Sequence, residues 1–322
     1  MQRLMSGFRG FNTVRELSSG DEARLPSSEG NRILSSTRTA TQQAERKSTG
    51  RTVPAGTCDC HAHVYGPFDE FPLLENAVFQ PPLGTIDALE WLWESFGIER
   101  GVLVQGAAYG HDHRALLAAI RRAPENRRGI ALLRNDTSDA TLKQLQAGGV
   151  CGARINFVRH LDKGFDEESS WQIVRRIEPL GWHLELHVDA ADLARLEPFV
   201  RESPVPIVID HMGRVDAALG LSQAPFQALL DLVRRPNCWV KLSGADRLAK
   251  GGVLETAISF ARSLLQAAPD RVVWGTDWPH VNLEGSPGDE ALFNLLPKIA
   301  PDDTSLARLL VDNPACLYGF EP

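Results

Sequence analysis

The sequence predicts an α/β protein, a (β/α)8 TIM-type barrel with a disordered N-terminal extension. Three observations carry that prediction. From Thr57 onward, eight short apolar segments alternate with amphipathic helical ones, the pattern of a parallel sheet. No glycine-rich phosphate loop follows the first strand, as an open doubly wound sheet would require. Polar, chemistry-bearing residues gather at the C-terminal ends of the strands, the face on which a closed barrel carries its site.

The strands are expected at 57–64, 101–107, 128–134, 152–158, 183–189, 206–212, 238–244 and 272–278. Helices are expected between them. Segment 85–97 places Leu89, Leu92, Trp93 and Phe96 at helical spacing. Segment 112–122 opens with Asp112 as a candidate N-cap, and 138–148 opens with Ser138 and stops at Gly148-Gly149. Further helices are expected at 168–180, 190–202, 222–235, 253–267, 288–299 and 303–313.

Residues 1–52 stand apart from the barrel region, 53–322. They are rich in Ser, Thr, Arg and Gln and show no sustained apolar period, so they bury too little to offset the entropy of ordering. Arg and Ser richness suggests a transit peptide, but Glu16, Asp21, Glu22, Glu29 and Glu45 argue against one. A disordered tail, or a start codon assigned too early, is the preferred reading.

Composition narrows the function. A net charge of −7 argues against a general nucleic-acid binder, which needs a basic face, while leaving room for a local basic pocket. No apolar run reaches the length of a membrane span. The five cysteines have neither disulfide nor zinc-ribbon spacing, so they read as reduced thiols of a cytoplasmic protein. Nothing in the chain fixes assembly beyond a monomer or small homo-oligomer.

The strand ends supply the chemistry. His61 and His63 stand two apart on a strand, so both side chains face one side. With His187 and Asp277 they offer three nitrogens and one carboxylate, a plausible shell for one divalent ion such as Zn²⁺. His211 is placed to polarise a carbonyl, and Asp277 to accept a proton from water. Arg154 and Arg247 suit an anionic group, since a guanidinium binds carboxylate bidentately. The neighbouring His111/His113 pair reads as a solvated loop, His183 as structural, and His280 and Asn282 as pocket rim. Trp91 and Trp93 read as helix packing, and Lys241 is left unassigned.

Asp59-Cys60-His61-Ala62-His63, Asp210-His211-Met212-Gly213 and Gly275-Thr276-Asp277-Trp278-Pro279-His280 resemble the amidohydrolase superfamily, in its amidohydrolase-2 branch. Within that branch the likeness is to the 2-pyrone-4,6-dicarboxylate lactonases and related muconolactone and sulfomuconolactone hydrolases. It extends through Arg154-Ile155-Asn156-Phe157-Val158 and Val311-Asp312-Asn313-Pro314. The resemblance implies a hydrolase that opens a small carboxylated or sulfonated lactone in aromatic catabolism. It also implies Arg154 and Arg247 as substrate anchors, with His160 replacing a further arginine.

Three departures bear on the substrate and the metal. The dicarboxylate lactonases work without metal and have tyrosine where this chain has His187. Phe79 stands where they have a substrate-facing tyrosine, and a bridging lysine after the fourth strand is absent. These changes favour a related lactone and a single metal ion. A metal-dependent decarboxylase of the same branch is the alternative, and a non-catalytic binding barrel a third reading.

Overall fold

A computed structural model describes residues 53–158, 165–283 and 285–321. The segment 1–52, expected to be disordered, and His160, expected to bind substrate, lie outside the described residues. Eight parallel strands follow one another in sequence order around a barrel. They are β1 (Cys58–Ala62), β2 (Arg100–Val104), β3 (Arg127–Leu132), β4 (Val150–Phe157), β5 (His183–Val188), β6 (Ile207–Ile209), β7 (Cys238–Lys241) and β8 (Val272–Val273). Each lies within or beside its expected segment.

The barrel closes where the stretch after β8 meets β1. The Cys60 amide donates to Trp274 O, the Asp277 amide to His61 O and the His63 amide to Trp278 O, each at 2.8 Å. A register shift between Asp59 and Ala62 marks a bulge in β1, a device that re-aims side chains beside active sites. Asp59 pins it. Its carboxylate accepts from the amides of His61 and Thr276, the Thr276 hydroxyl and the Trp93 indole.

Most strands are shorter than the sequence suggests, and for the two shortest, β6 and β8, the cause is local. After Ile209 the chain turns into left-handed conformation at His211, Met212, Gly213 and Arg214, with φ between 49° and 64°. Such angles end an extended strand and are uncommon for residues other than glycine. Asp277 likewise sits at φ 63°. Strained backbone of this kind clusters at functional sites.

The helices largely match expectation. Ile86–Phe96 is capped by Thr85, whose hydroxyl accepts from the Ala88 amide, and ends on left-handed Gly97. Its Trp93 packs so closely on β2 that a Cβ on Gly101 would lie 2.1 Å from the indole. Ser138 caps Asp139–Ala147 as expected. Asp112 is not the cap of its helix: Arg114–Arg121 begins one residue later than that cap would allow, behind His113. Asp112 instead holds the Arg114 amide and guanidinium. The expected 190–202 helix divides into a 3-10 stretch, Ala190–Leu196, and an α-helix, Glu197–Glu202, with Pro198 in its first turn. Segment 288–299 likewise splits into Asp289–Phe293 and Leu296–Ile299, with Pro297 in the first turn of the second.

Apolar side chains fill the layer between barrel and helices, around Leu89, Phe199, Phe226, Phe260 and Leu309. A second apolar cluster fills the barrel floor, where Val102, Ile130, Val208 and Trp239 meet Tyr318 and Phe320. Arg100 and Arg128 stack over Phe320 at 5.2 and 4.6 Å. Among the described residues no helix is long and apolar enough to cross a membrane.

Candidate active site

The two ends of the barrel seam bring together a buried group of polar side chains. His61 and His63 come from β1 and Asp277 from the stretch after β8, so the closing hydrogen bonds also fix their separation. Asp277 Oδ1 lies 3.7 Å from His61 Nε2, 3.7 Å from His63 Nε2 and 3.9 Å from His211 Nε2. One carboxylate oxygen thus faces three imidazole nitrogens. These distances exceed a hydrogen bond. Both Asp277 Oδ1 and His61 Nε2 are buried with no hydrogen-bond partner among the described residues. Burying polar atoms alone is costly, so this pair is suited to a water or a ligand.

The other ring nitrogens are held from behind. His63 Nδ1 lies 2.8 Å from Val104 O, which makes Nδ1 the donor and turns the Nε2 lone pair toward Asp277. His211 Nδ1 is 2.9 Å from Ser243 Oγ. His61 Nδ1 lies between Lys241 Nζ at 3.1 Å and Asp210 Oδ1 at 3.5 Å, so it has a partner in either tautomer. Donation to Asp210 leaves its Nε2 lone pair open.

The electrostatics keep His61 and His211 neutral and Asp277 and Asp210 ionised. Burial, helped by the nearby Lys241 charge, lowers His61 to about 3. Burial also holds His211 well below the usual range, although Asp277 works against it. For Asp277, burial pushes upward, but Arg247, His211 and His63 outweigh it and hold the carboxyl well below its ordinary range. Asp210 follows the same logic, with Arg154 and Lys241 overcoming its burial.

A divalent cation fits this donor set. Ligand atoms of His61, His63 and Asp277 all lie within 4.8 Å of one another, and all three residues are buried. Donors bound at ~2.1 Å around a tetrahedral ion stand ~3.4 Å apart, a few tenths below the separations here. His61, Asp210 and His211 form a second such group, but Arg154 and Lys241 already balance Asp210.

His187 sits differently from the other expected ligands. Its Nδ1 is 3.1 Å from Asn156 Oδ1, and its Nε2 is 3.2 Å from Arg214 Nη1. The guanidinium faces the lone pair that a metal would need, and His187 does not join the three-residue group. Arg214 was missed by the sequence reading. It is the last residue of the left-handed turn after β6 and also lies 3.5 Å from Asp189.

The expected anchors are placed at the site but are also internally engaged. Arg154 Nε donates to Asp210 Oδ2 at 2.7 Å. Arg247 Nε donates to Asp277 Oδ2 at 2.5 Å, and its Nη2 to Val281 O at 3.1 Å. These bonds fix both guanidinium planes. His280 bridges two acids, Asp289 at 2.8 Å and Asp246 at 3.3 Å, and so ties the Arg247 segment to the loop after Asp277. His111 and His113 both approach Leu132 O, at 3.1 and 3.0 Å, and belong to a loop contact.

Lys241, unassigned from the sequence, is fully buried beneath the site, 2.6 Å from Glu185 Oε1. An alternating strand read without its neighbours gives no sign of this, since the partner lies two strands away. Tyr65 was also missed. It is buried beside His63, and burial keeps its phenol above the ordinary range.

Comparison with known proteins places this geometry among relatives. A family model described as amidohydrolase matches residues 58–320. A 2-pyrone-4,6-dicarboxylate hydrolase of Comamonas testosteroni is 38% identical, over 84% of this chain and 92% of that protein. A 4-sulfomuconolactone hydrolase of Rhizobium radiobacter is 36% identical, over 83% of this chain and 91% of the relative. Among solved structures, a probable 2-pyrone-4,6-dicarboxylic acid hydrolase from Acinetobacter baumannii with citric acid bound superposes with a TM-score of 0.73. It is 29% identical and covers 82% of this chain and 100% of its own.

Proposed function

This chain belongs to the amidohydrolase family, and from that premise we infer that it is a lactonase, a hydrolase that opens a small carboxylated or sulfonated cyclic ester in aromatic-compound catabolism. The relatives named for 2-pyrone-4,6-dicarboxylate and 4-sulfomuconolactone support this reading. The single observation that carries it is Asp277 Oδ1, buried, unpaired and facing three imidazole nitrogens.

In the proposed reaction, a water lodged against Asp277 attacks the lactone carbonyl carbon. Asp277 takes its proton and later returns it to the ring oxygen as the carbon–oxygen bond breaks. One water is consumed, and an acid and a hydroxyl group are formed. His211, neutral and accepting from Ser243 at Nδ1, presents Nε2–H to the developing oxyanion. Arg154, Arg247 and Arg214 supply positive charge for the substrate's anionic group, and we keep His160 as a further contact.

We assign His61, His63 and Asp277 as holders of one divalent ion, with zinc as the proposed metal. His187 joins them only by releasing Arg214. Such an ion would supply a water of pKa about 7 and polarise the carbonyl. Five free cysteines suit a reducing, cytoplasmic setting. We take 53–322 as one catalytic domain acting as a monomer or small homo-oligomer.

Steady-state turnover of both named lactones, with product identified as ring-opened acid, tests the reading. Released CO₂ in place of ring-opened acid would favour the decarboxylase instead. Asp277→Asn is expected to lower kcat by about 10³-fold with an unchanged fold. Near-normal activity in that variant would sink the mechanism. Elemental analysis with chelator treatment decides the metal, because a metal-free and chelator-indifferent active enzyme excludes it.

A further inference from the structure

Tyr65 is an unusual side chain for its position. The residue is 1% exposed and lies beside His63, in a small apolar cluster with Ala108, Tyr109 and Val281. Its hydroxyl brings a polar handle into that apolar setting, next to the histidine pair.

The ring is held from several sides. Its backbone pairs with Gly84 in both directions, at 2.7 and 2.9 Å. Tyr109 stacks on it at 5.8 Å and 21°, while the Tyr109 hydroxyl accepts from the Gly66 amide at 2.7 Å. On the other side the His63 ring lies at 6.0 Å. Gly106, just after β2, makes the space: a Cβ there would lie 2.3 Å from the Tyr65 hydroxyl oxygen. The sequence thus gives up a side chain to seat this phenol beside the histidine pair. After burial, the groups that bear on its ionisation are Arg154, Asp277, Tyr109 and Arg247. Val281, whose carbonyl holds Arg247, packs in the same small apolar cluster as Tyr65.

We propose that Tyr65 is a specificity-determining residue whose hydroxyl donates to the anionic group of the substrate, beside Arg154 and Arg247. The inference rests on the lactonase reading and deepens it. Two arginines supply net charge, while a rigid phenol supplies direction, so the group is recognised by placement as well as by sign.

Tyr65→Phe removes one oxygen and keeps the packing, so its thermal melt should match the parent. Turnover is compared on 4-sulfomuconolactone, 2-pyrone-4,6-dicarboxylate and uncharged 2-pyrone. KM for the charged lactones is expected to rise about tenfold or more, with kcat within about twofold and 2-pyrone unaffected. Unchanged KM, equal losses on charged and uncharged lactones, or a loss confined to kcat each overturn the assignment. A second arm needs no turnover: calorimetric titration with citrate, used as a non-reacting polyanion, should give a Kd about tenfold weaker in the variant. Equal citrate affinity overturns the inference even if the parent proves inert on all three lactones, a result that would separately overturn the lactonase reading.

Discussion

Removing the Lys241 ammonium tests how the barrel carries its buried charge. Lys241 Nζ lies 2.6 Å from Glu185 Oε1 and 3.6 Å from Asp210 Oδ1, and all three side chains are fully buried. Arg154 closes the set by pairing with Asp210 at 2.7 Å. Two cations and two anions therefore balance beneath the site. At an effective dielectric constant of about 20, the Lys241–Glu185 contact alone is worth roughly 6 kcal/mol of attraction, offset in large part by desolvation. Lys241→Met leaves Glu185 without that counter-charge, and breaking a buried pair from one side costs about 3–5 kcal/mol. Adding Glu185→Gln restores the balance and should recover at least about 2 kcal/mol of the loss. Urea unfolding followed by circular dichroism, on both single variants and the double, gives the coupling energy directly. If the double variant loses the full sum of the two singles, the charges are not balancing one another and the reasoning fails.

Two further outcomes follow from the charges around Asp277. Arg247→Gln removes the largest influence holding that carboxyl below its ordinary range, against the upward push of burial. The acid limb of the kcat/KM profile should move to higher pH, and an unmoved limb would separate Arg247 from the ionisation of the base. His280 loses basicity through burial, but Asp246 and Asp289 more than compensate and raise it to about 10. Its stabilising effect is therefore fully present below the unfolded value of about 6.5 and fades as pH rises through about 10. The stability gap between parent and His280→Gln should shrink across that window in parallel urea titrations, and a constant gap would remove the imidazolium from the account.

Period and punctuation made the barrel legible. Each β-strand is a short apolar run, and the Thr85 and Ser138 caps sit where side-chain chemistry requires them. His61 and His63 were readable as a pair because a strand repeats every two residues. Their convergence with Asp277 and His211 followed from the single fact that a barrel gathers strand ends. What the sequence withheld depends on angles between strands. Arg214 reaches His187 only because four residues after β6 adopt positive φ. The Lys241–Glu185 pair joins β7 to β5 across the interior, and no spacing along the chain encodes it. Tyr65 is concealed for a similar reason, since its seat is made by Gly106, just after the neighbouring strand. The Asp112 cap failed on a local competition: Arg114 offered the carboxylate a charged partner as well as an amide.

The backbone bonds joining β1 to the stretch after β8 give the reacting groups a timing as well as a place. His61 and Asp277 are separated by most of the barrel sequence, yet the closing bonds, among them the Asp277 amide to His61 O at 2.8 Å, set them side by side. During synthesis the histidines emerge first and wait for their carboxylate until seven other strands have been made. On the proposed mechanism, a chain paused before Asp277 holds its imidazoles without their base. On that mechanism competence appears in one step, when the last strand docks on the first, and the onset of turnover during refolding should report the closing of the ring itself.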